Sequence, residues 1–217
     1  MNYQKELDKL IVKLEKEERV PTLLLHSCCA PCSSYVLEYL SQYFEITVFY
    51  YNPNIYPESE YSKRIIEQQR LIDELPAKHK ISFVAGEYDK DRFYDMAKGL
   101  EDAREGGERC MRCYELRLRE AAELARDGGY EYFTTTLSIS PMKNAQKLNE
   151  IGNRLADISV LLSCQRNMDC TGRTIADAFI PGRKQKRDGD RMQEKHRYAS
   201  EMHKKSDEGL FKVLIVC

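Results

Sequence analysis

The hydrophobic positions of the chain follow two alternating periods. Short apolar or β-branched runs bounded by turn residues predict buried strands, and longer stretches with apolar residues every three to four positions predict helices. An amphipathic, charged helix opens the chain and is expected to end near Arg19. The predicted strands are TLLLH (22–26), EITVFYYNPN (45–54), KISFVAGEY (80–88) and YEYFTTTLSISP (130–141).

Helical patterns fill the intervals between these strands. Ser33 or Ser34 is expected to cap the helix after the first strand, because serine is a preferred N-cap residue. Regular alternation of strand and helix indicates an α/β fold with a doubly wound, mainly parallel sheet and helices on both faces, and sites in such sheets form at the carboxyl ends of strands. The predicted helices are SSYVLEYLSQYF (33–44), residues 57–75, DKDRFYDMAKGL (89–100), ERCMRCYELRLREAAELARDGG (108–129) and KNAQKLNEIGNRLAD (143–157).

Composition narrows the classes of function. The 217 residues carry 34 basic and 35 acidic side chains, so the chain lacks the overall positive charge that is typical of nucleic-acid-binding proteins. A local basic patch remains compatible with a nucleic-acid partner. The N-terminal helix lacks the apolar core of an export signal, and no stretch has the length needed to span a bilayer, so we expect a cytoplasmic protein. Thiols stay reduced in that compartment, so the eight cysteines indicate metal or redox chemistry rather than structural disulfides.

Five of the cysteines fall into two groups at predicted helix starts. Cys28, Cys29 and Cys32 follow the first strand in HSCCAPC, and Cys110 and Cys113 open a later helix in ERCMRC. Free backbone N–H groups and the helix dipole favour thiolates at such positions. Together the two groups can supply the four thiolates that an iron–sulfur cluster or a tetrahedral zinc ion needs, with one to spare.

Several interpretations stay open at this point. Zinc sites normally offer C-x2-C twice, so the adjacent pair Cys28 and Cys29 favours iron–sulfur over zinc. His26 is either a ligand or base, or a histidine held by hydrogen bonds at a strand end. Arg109 and Arg112 either contact a phosphate or keep their helix solvated. The tyrosines of YYNPNIYPESEY either stack on a nucleobase or pack in the core. The Ser-Gly-Gly-x-Asp-Ser phosphate loop of nucleotide-dependent PP-loop enzymes is absent, which disfavours ATP use.

Four motifs in combination resemble the QueH-type epoxyqueuosine reductases, namely LLLHSCCAPCSSY, FYYNPNIYPESEY, ERCMRCYELRL and TTTLSISPMKN. The resemblance runs from about Thr22 to Leu155. It implies a fold similar to the PP-loop (adenine nucleotide α-hydrolase-like) class, a tRNA substrate carrying epoxyqueuosine, an unidentified electron donor and a [4Fe-4S] cluster. By motif matching, the cluster ligands would be Cys28, Cys29, Cys110 and Cys113, and Cys32 would be an extra position for metal, such as an additional iron, or for redox chemistry.

Beyond Leu155 the family's C-terminal motifs are absent, including a stretch similar to EYGLYRQxYCGC with a cysteine pair that looks redox-active. Permitted codons for DCTGRTIADAF, read from the third base, encode LYRQNYCGCV, so we hypothesise an out-of-frame deletion just after Leu155. We therefore predict an iron–sulfur catalytic domain at 1–156 and a poorly ordered, highly charged tail at 157–217, in which Cys164, Cys170 and Cys217 have no role. A chain translated as written is expected to bind a cluster but to lack the segment that accepts electrons.

Overall fold

Five parallel strands form one sheet in the computed structural model of the protein, which describes residues 3–140, 143–166 and 212–213. The strand order is β3-β2-β1-β4-β5, and every neighbouring pair is parallel. This arrangement confirms the predicted doubly wound α/β fold. The strands are β1 (Thr22–Ser27), β2 (Glu45–Tyr50), β3 (Ile81–Ala85), β4 (Tyr132–Thr135) and β5 (Lys212–Val213).

Each predicted helix is present, with corrected ends. The first helix ends at Lys16 rather than near Arg19, because Glu18 adopts a left-handed conformation with φ of 50° that ends the helical path. The expected cap at Ser33 or Ser34 is wrong, because the helix after β1 already begins at Ala30 with Cys29 as its N-cap. The helices are α1 (Tyr3–Lys16), α2 (Ala30–Leu40), α3 (Glu58–Glu74), α4 (Lys90–Ala97), α5 (Glu108–Asp127) and α6 (Ala145–Arg166), and a 3-10 helix at Thr136–Ile139 follows β4.

The central strand β1 is buried on both faces, because consecutive side chains of a strand point to opposite sides of the sheet. Leu23 and Leu25 pack with α1 and α2 on one face, and Leu24 packs with α5 and α6 on the other. All three leucines are fully buried. Burying such a side chain contributes roughly 1.5–3 kcal/mol to the free energy of unfolding. The apolar run TLLLH therefore stabilises β1 as a central strand covered by helices on both faces of the sheet.

The sheet reverses its winding direction next to β1. The chain passes from β1 to β2 and β3 on one side, and then returns to place β4 on the other side of β1. The carboxyl ends of β1 and β4 are therefore the topological switch point, where open α/β sheets form their ligand crevice. Cys28 follows β1 and Thr136 follows β4 at this edge.

The predicted domain boundary after Ala156 falls inside α6, which continues to Arg166. Lys212 and Val213 pair with Tyr132 and Phe133 as strand β5. Cys170 and Cys217 lie outside the described residues, so the boundary and the disordered tail stay predictions. Among the helices of the described ranges, none is long and apolar enough to cross a bilayer.

Candidate metal centre

Three thiols meet at the carboxyl end of β1. The sulfur atoms of Cys28, Cys29 and Cys32 all lie within 4.8 Å of one another, and the Sγ atoms of Cys28 and Cys29 are 3.8 Å apart. The local fold causes this convergence, because Cys29 caps α2 in an extended conformation and Cys32 lies in the first turn, three residues on. Pro31 fits that first turn, where a missing N–H costs no helical hydrogen bond. All three cysteines are free thiols.

The surroundings favour one thiolate in this group. The pKa of Cys28 is lowered to about 5, first by the hydrogen bond that the Cys29 thiol donates to it. The Thr136 hydroxyl, which donates at 3.3 Å, and the charge of Arg117 lower this pKa further. Together these effects outweigh burial, which raises it. The pKa of Cys29 is raised because its proton is held by Cys28, and that of Cys32 is raised by burial and by the negative charge of Cys28. A bound cation would offset this repulsion, so three adjacent thiols in one crevice form a donor set suited to a thiophilic metal.

Thr136 connects the two strands of the switch point through Cys28. Its hydroxyl oxygen accepts the backbone N–H of Cys28 at 3.0 Å, and its O–H points to the Cys28 sulfur at 3.3 Å. The motif TTTLSISPMKN contains this residue, but nothing in the sequence separates Thr136 from the other threonines of a β-branched strand. Sequence reasoning therefore missed it.

A buried polar network supports the same loop from the α2–α3 face. The Ser33 hydroxyl donates to the Cys29 carbonyl at 2.8 Å and lies 2.6 Å from the Ser27 hydroxyl. Ser27 in turn donates to Oε1 of Gln68 on α3 at 2.7 Å. All three polar side chains of this network are fully buried, so the path of the chain through Cys29 is fixed on both sides.

The second cysteine pair lies in the first two turns of α5, as predicted. Cys113 is buried, and Cys110 is half-buried with its sulfur 3.3 Å from the Gly106 N–H. Neither sulfur belongs to the three-thiol group, in which the structure instead places Cys32. Cys110 and Cys28 nevertheless border the same core cluster. The four-cysteine ligand set therefore stays a prediction.

Buried hydrogen bonds connect α5 to the end of β1 and orient the face of α5 that carries Cys113 toward the crevice. Arg117 lies one turn after Cys113 and donates to the Asn52 side-chain oxygen, and the Asn52 amide donates to the Ser27 carbonyl at 2.9 Å. Arg117 is itself buried and its charge acts on Cys28. Residues 110, 113 and 117 recur at helical spacing, so the helix face that carries the second pair points toward the end of β1.

His26 is a structural histidine rather than a ligand or base. Its Nε2 lies 3.0 Å from the Tyr51 carbonyl, which can only accept, so this nitrogen carries the proton. Its Nδ1 then accepts from the Thr135 hydroxyl at 2.9 Å. Burial, reinforced by the charge of Arg117, lowers the pKa of His26 to about 3, so the ring is neutral and both nitrogens are occupied.

A family model described as Epoxyqueuosine reductase QueH matches residues 23–173, which extends past the predicted limit at Leu155. The chain is 43% identical over 162 residues to the Epoxyqueuosine reductase QueH of Staphylococcus epidermidis, covering 73% of this chain and 68% of the relative. The protein of that name in Staphylococcus aureus is 41% identical over 170 residues, covering 75% of this chain and 71% of the relative. The one in Thermotoga maritima is 35% identical over 142 residues, covering 63% of this chain and 69% of the relative. The family match contains both cysteine groups.

Proposed function

This chain belongs to the epoxyqueuosine reductase QueH family, and from that premise we propose that it reduces epoxyqueuosine in tRNA to queuosine. The reaction removes the epoxide oxygen as water and leaves a carbon–carbon double bond, which takes two electrons and two protons. The observation that carries the proposal is the family match across residues 23–173, which includes the three thiols gathered at the switch point. Reduced thiols and a tRNA substrate both suit a cytoplasmic enzyme with a separate electron donor.

For the cofactor we propose a [4Fe-4S] cluster held by Cys28, Cys29, Cys110 and Cys113, with Cys32 available to an additional iron. The donor set fits, because thiolates are the standard ligands of such clusters and the crevice favours a thiolate at Cys28. When bound, the cluster would supply electrons at low potential and an iron able to act as a Lewis acid on the departing oxygen.

The chain's own residues prepare this site in three ways. Thr136 keeps Cys28 in position and stabilises its thiolate, and Ser33 fixes the backbone at Cys29. Arg117 contributes a buried positive charge beside the crevice, which favours anionic sulfur. We place the catalytic unit in residues 1–156, the part of the chain that supplies all of these groups.

A second candidate is a metal-binding protein without catalysis, holding zinc or an iron–sulfur cluster. The observation in favour of zinc is the 3.8 Å separation of the Cys28 and Cys29 sulfurs. That distance matches the edge, about 3.8 Å, of a tetrahedron with zinc–sulfur bonds of about 2.3 Å.

The test is conversion of epoxyqueuosine in an anticodon stem-loop RNA by anaerobically reconstituted protein, with dithionite as the electron source. A chemical reductant bypasses any missing electron-accepting segment of the chain. We expect nucleosides that lose one oxygen atom to appear with wild type and not with Cys28→Ser, as measured by mass spectrometry. Protein that holds stoichiometric iron and sulfide but forms no queuosine would contradict the proposal and favour the non-catalytic candidate.

A further inference from the structure

Arg117 holds a positive charge inside the protein that no carboxylate of the described residues offsets. The side chain is only 4% exposed, and its Nε is buried without a hydrogen-bond partner in the part of the chain that the structure describes. By contrast, Arg112, Arg119 and Arg126 of the same helix each form an ion pair with a carboxylate. An isolated buried charge is costly, so a counter-ion is expected close to Arg117.

The acidic side chains that flank Arg117 on α5 are engaged with other arginines. Glu115 pairs with Arg119 at 2.7 Å and with Arg154 at 3.0 Å. Glu120 pairs with Arg92 of α4. The local acids of the helix are therefore committed elsewhere, and the counter-ion of Arg117 has to come from another element.

The Arg117 guanidinium lies at the thiol crevice. It donates to the side-chain oxygen of Asn52, whose amide donates to the Ser27 carbonyl at 2.9 Å. A single amide side chain therefore separates the guanidinium from the carbonyl group that immediately precedes Cys28. Cys113 lies one helical turn before Arg117, a spacing at which Cβ atoms are about 5–6 Å apart. Arg117 is thus close to both cysteine groups.

Thiolates are the anions that this crevice can offer to the guanidinium. After the hydrogen bonds from Cys29 and Thr136, the charge of Arg117 is the next effect that lowers the pKa of Cys28. A centre ligated by four thiolates is anionic, whether it holds an iron–sulfur cluster or zinc, because the thiolates outnumber the positive charges of the metal core. Such a centre would supply the counter-ion that the buried guanidinium lacks.

Resting on the proposed function, we propose that Arg117 is the internal counter-ion of the metal centre and that its charge raises the reduction potential of the cluster. Reduction adds one electron from the donor, and hence one negative charge, to the centre. A fixed positive charge nearby stabilises the reduced state more than the oxidised state, and burial strengthens this effect. A raised potential allows a weaker reductant to supply the electrons.

Arg117→Gln tests the proposal by the potential of the reconstituted cluster, measured by redox titration followed by EPR. We expect the ratio of reduced to oxidised cluster at a fixed potential to fall about tenfold, which is a shift of ~59 mV for a one-electron couple. Arg117→Lys keeps the charge and should stay within about twofold of wild type. An unchanged potential in Arg117→Gln, or an equal shift in Arg117→Lys, would overturn the proposal.

Arg119→Gln is the matched control, because it removes the same charge from the same helix two residues away. Glu115 already offsets the Arg119 charge, so the potential of this variant should equal that of wild type. A shift as large as that of Arg117→Gln would show that any positive charge on α5 acts on the cluster, and would overturn the specific role of Arg117.

Asn52→Asp tests the charge without altering Arg117. Aspartate has nearly the shape of asparagine and would place a carboxylate on the atom that now accepts from the guanidinium. We expect this new ion pair to neutralise the Arg117 charge and to lower the potential in the same direction as Arg117→Gln. A potential equal to that of wild type in folded, cluster-loaded Asn52→Asp would contradict the proposal.

Cobalt(II) binding to metal-free protein gives a second readout that needs no cluster. A divalent ion held by three or four thiolates leaves a net negative charge, so loss of the counter-ion should raise the Kd for cobalt about tenfold in Arg117→Gln and little in Arg117→Lys. Thiolate-to-cobalt absorption measures the affinity, and equal affinities in wild type and Arg117→Gln would overturn the proposal. Neither readout depends on turnover, so a protein that forms no queuosine would contradict the proposed function alone.

Discussion

The Thr136 hydroxyl lies 3.0 Å from the backbone nitrogen of Cys28 and 3.3 Å from its sulfur, joining residues that are 108 positions apart in the chain. This double contact ties the loop after β1 to the turn after β4. It also shares in lowering the pKa of Cys28. The fold therefore contributes to the chemistry of the cysteine group through a residue that is not itself a cysteine.

Thr136→Val should destabilise the protein. Valine keeps the shape of threonine but leaves the Cys28 N–H without a partner, and an unsatisfied buried donor costs about 1–3 kcal/mol of unfolding free energy. Thr134→Val is the control, because the Thr134 hydroxyl is buried and has no hydrogen-bond partner among the residues that the structure describes. Urea unfolding of both variants measures the difference, and equal stabilities would contradict the role given to Thr136.

Cys28 should be the most acidic of the three grouped thiols in metal-free protein. Because its pKa lies at about 5, alkylation by iodoacetamide should rise through pH 5 and level off well below neutrality. Cys32, whose pKa is raised by burial and by the Cys28 charge, should react only in alkaline solution. Peptide mass spectrometry between pH 4 and 9 reads both rates. A Cys28 that reacts only above pH 8 would remove the electrostatic account of this site.

His26 should make metal-free protein sensitive to acid. Its folded-state pKa of about 3 lies below the ordinary value of 6.5, so the unfolded chain binds a proton that the folded chain does not. The unfolding free energy should therefore fall as the pH drops below 6.5, by up to ~1.4 kcal/mol per pH unit. His26→Gln keeps a side-chain N–H for the Tyr51 carbonyl and should show a shallower dependence on pH. Identical slopes for the two proteins would count against a buried neutral imidazole.

The gene should carry the trace of the hypothesised deletion. The codons for DCTGRTIADAF should read LYRQNYCGCV in the frame that starts at the third base, because a frame change after Leu155 leaves the older coding sequence in place. Sequencing of the gene from the source strain measures this. Codons incompatible with that reading would end the hypothesis.

The sequence was sufficient to predict the position of the thiol group, because the apolar strand TLLLH and the alternation of elements place HSCCAPC at the carboxyl end of a central strand. The helix start was misjudged. Serine is a common N-cap and Ser33 was therefore expected there, whereas Pro31 already fits the first turn and shifts the cap to Cys29.

The rest depended on contacts between distant segments. The bridge from Ser27 through Asn52 to Arg117 joins β1, β2 and α5, and no local pattern marks an asparagine or an arginine for burial. The rings of Tyr50 and Tyr61 lie 5.3 Å apart, yet within the described part of the chain only Tyr61 has a hydrogen-bond partner for its hydroxyl. Such differences arise from packing and cannot be inferred from composition or periodicity.

The most direct test of the central claim is anaerobic reconstitution with iron and sulfide, followed by absorption and EPR spectroscopy of wild type, Cys110→Ala and Cys32→Ala. We predict a broad iron–sulfur absorption and a reduced-cluster EPR signal in wild type and in Cys32→Ala, and the loss of both in Cys110→Ala. A colourless protein that retains only zinc, or a Cys110→Ala protein with the spectrum of wild type, would contradict the proposed cluster and its ligands.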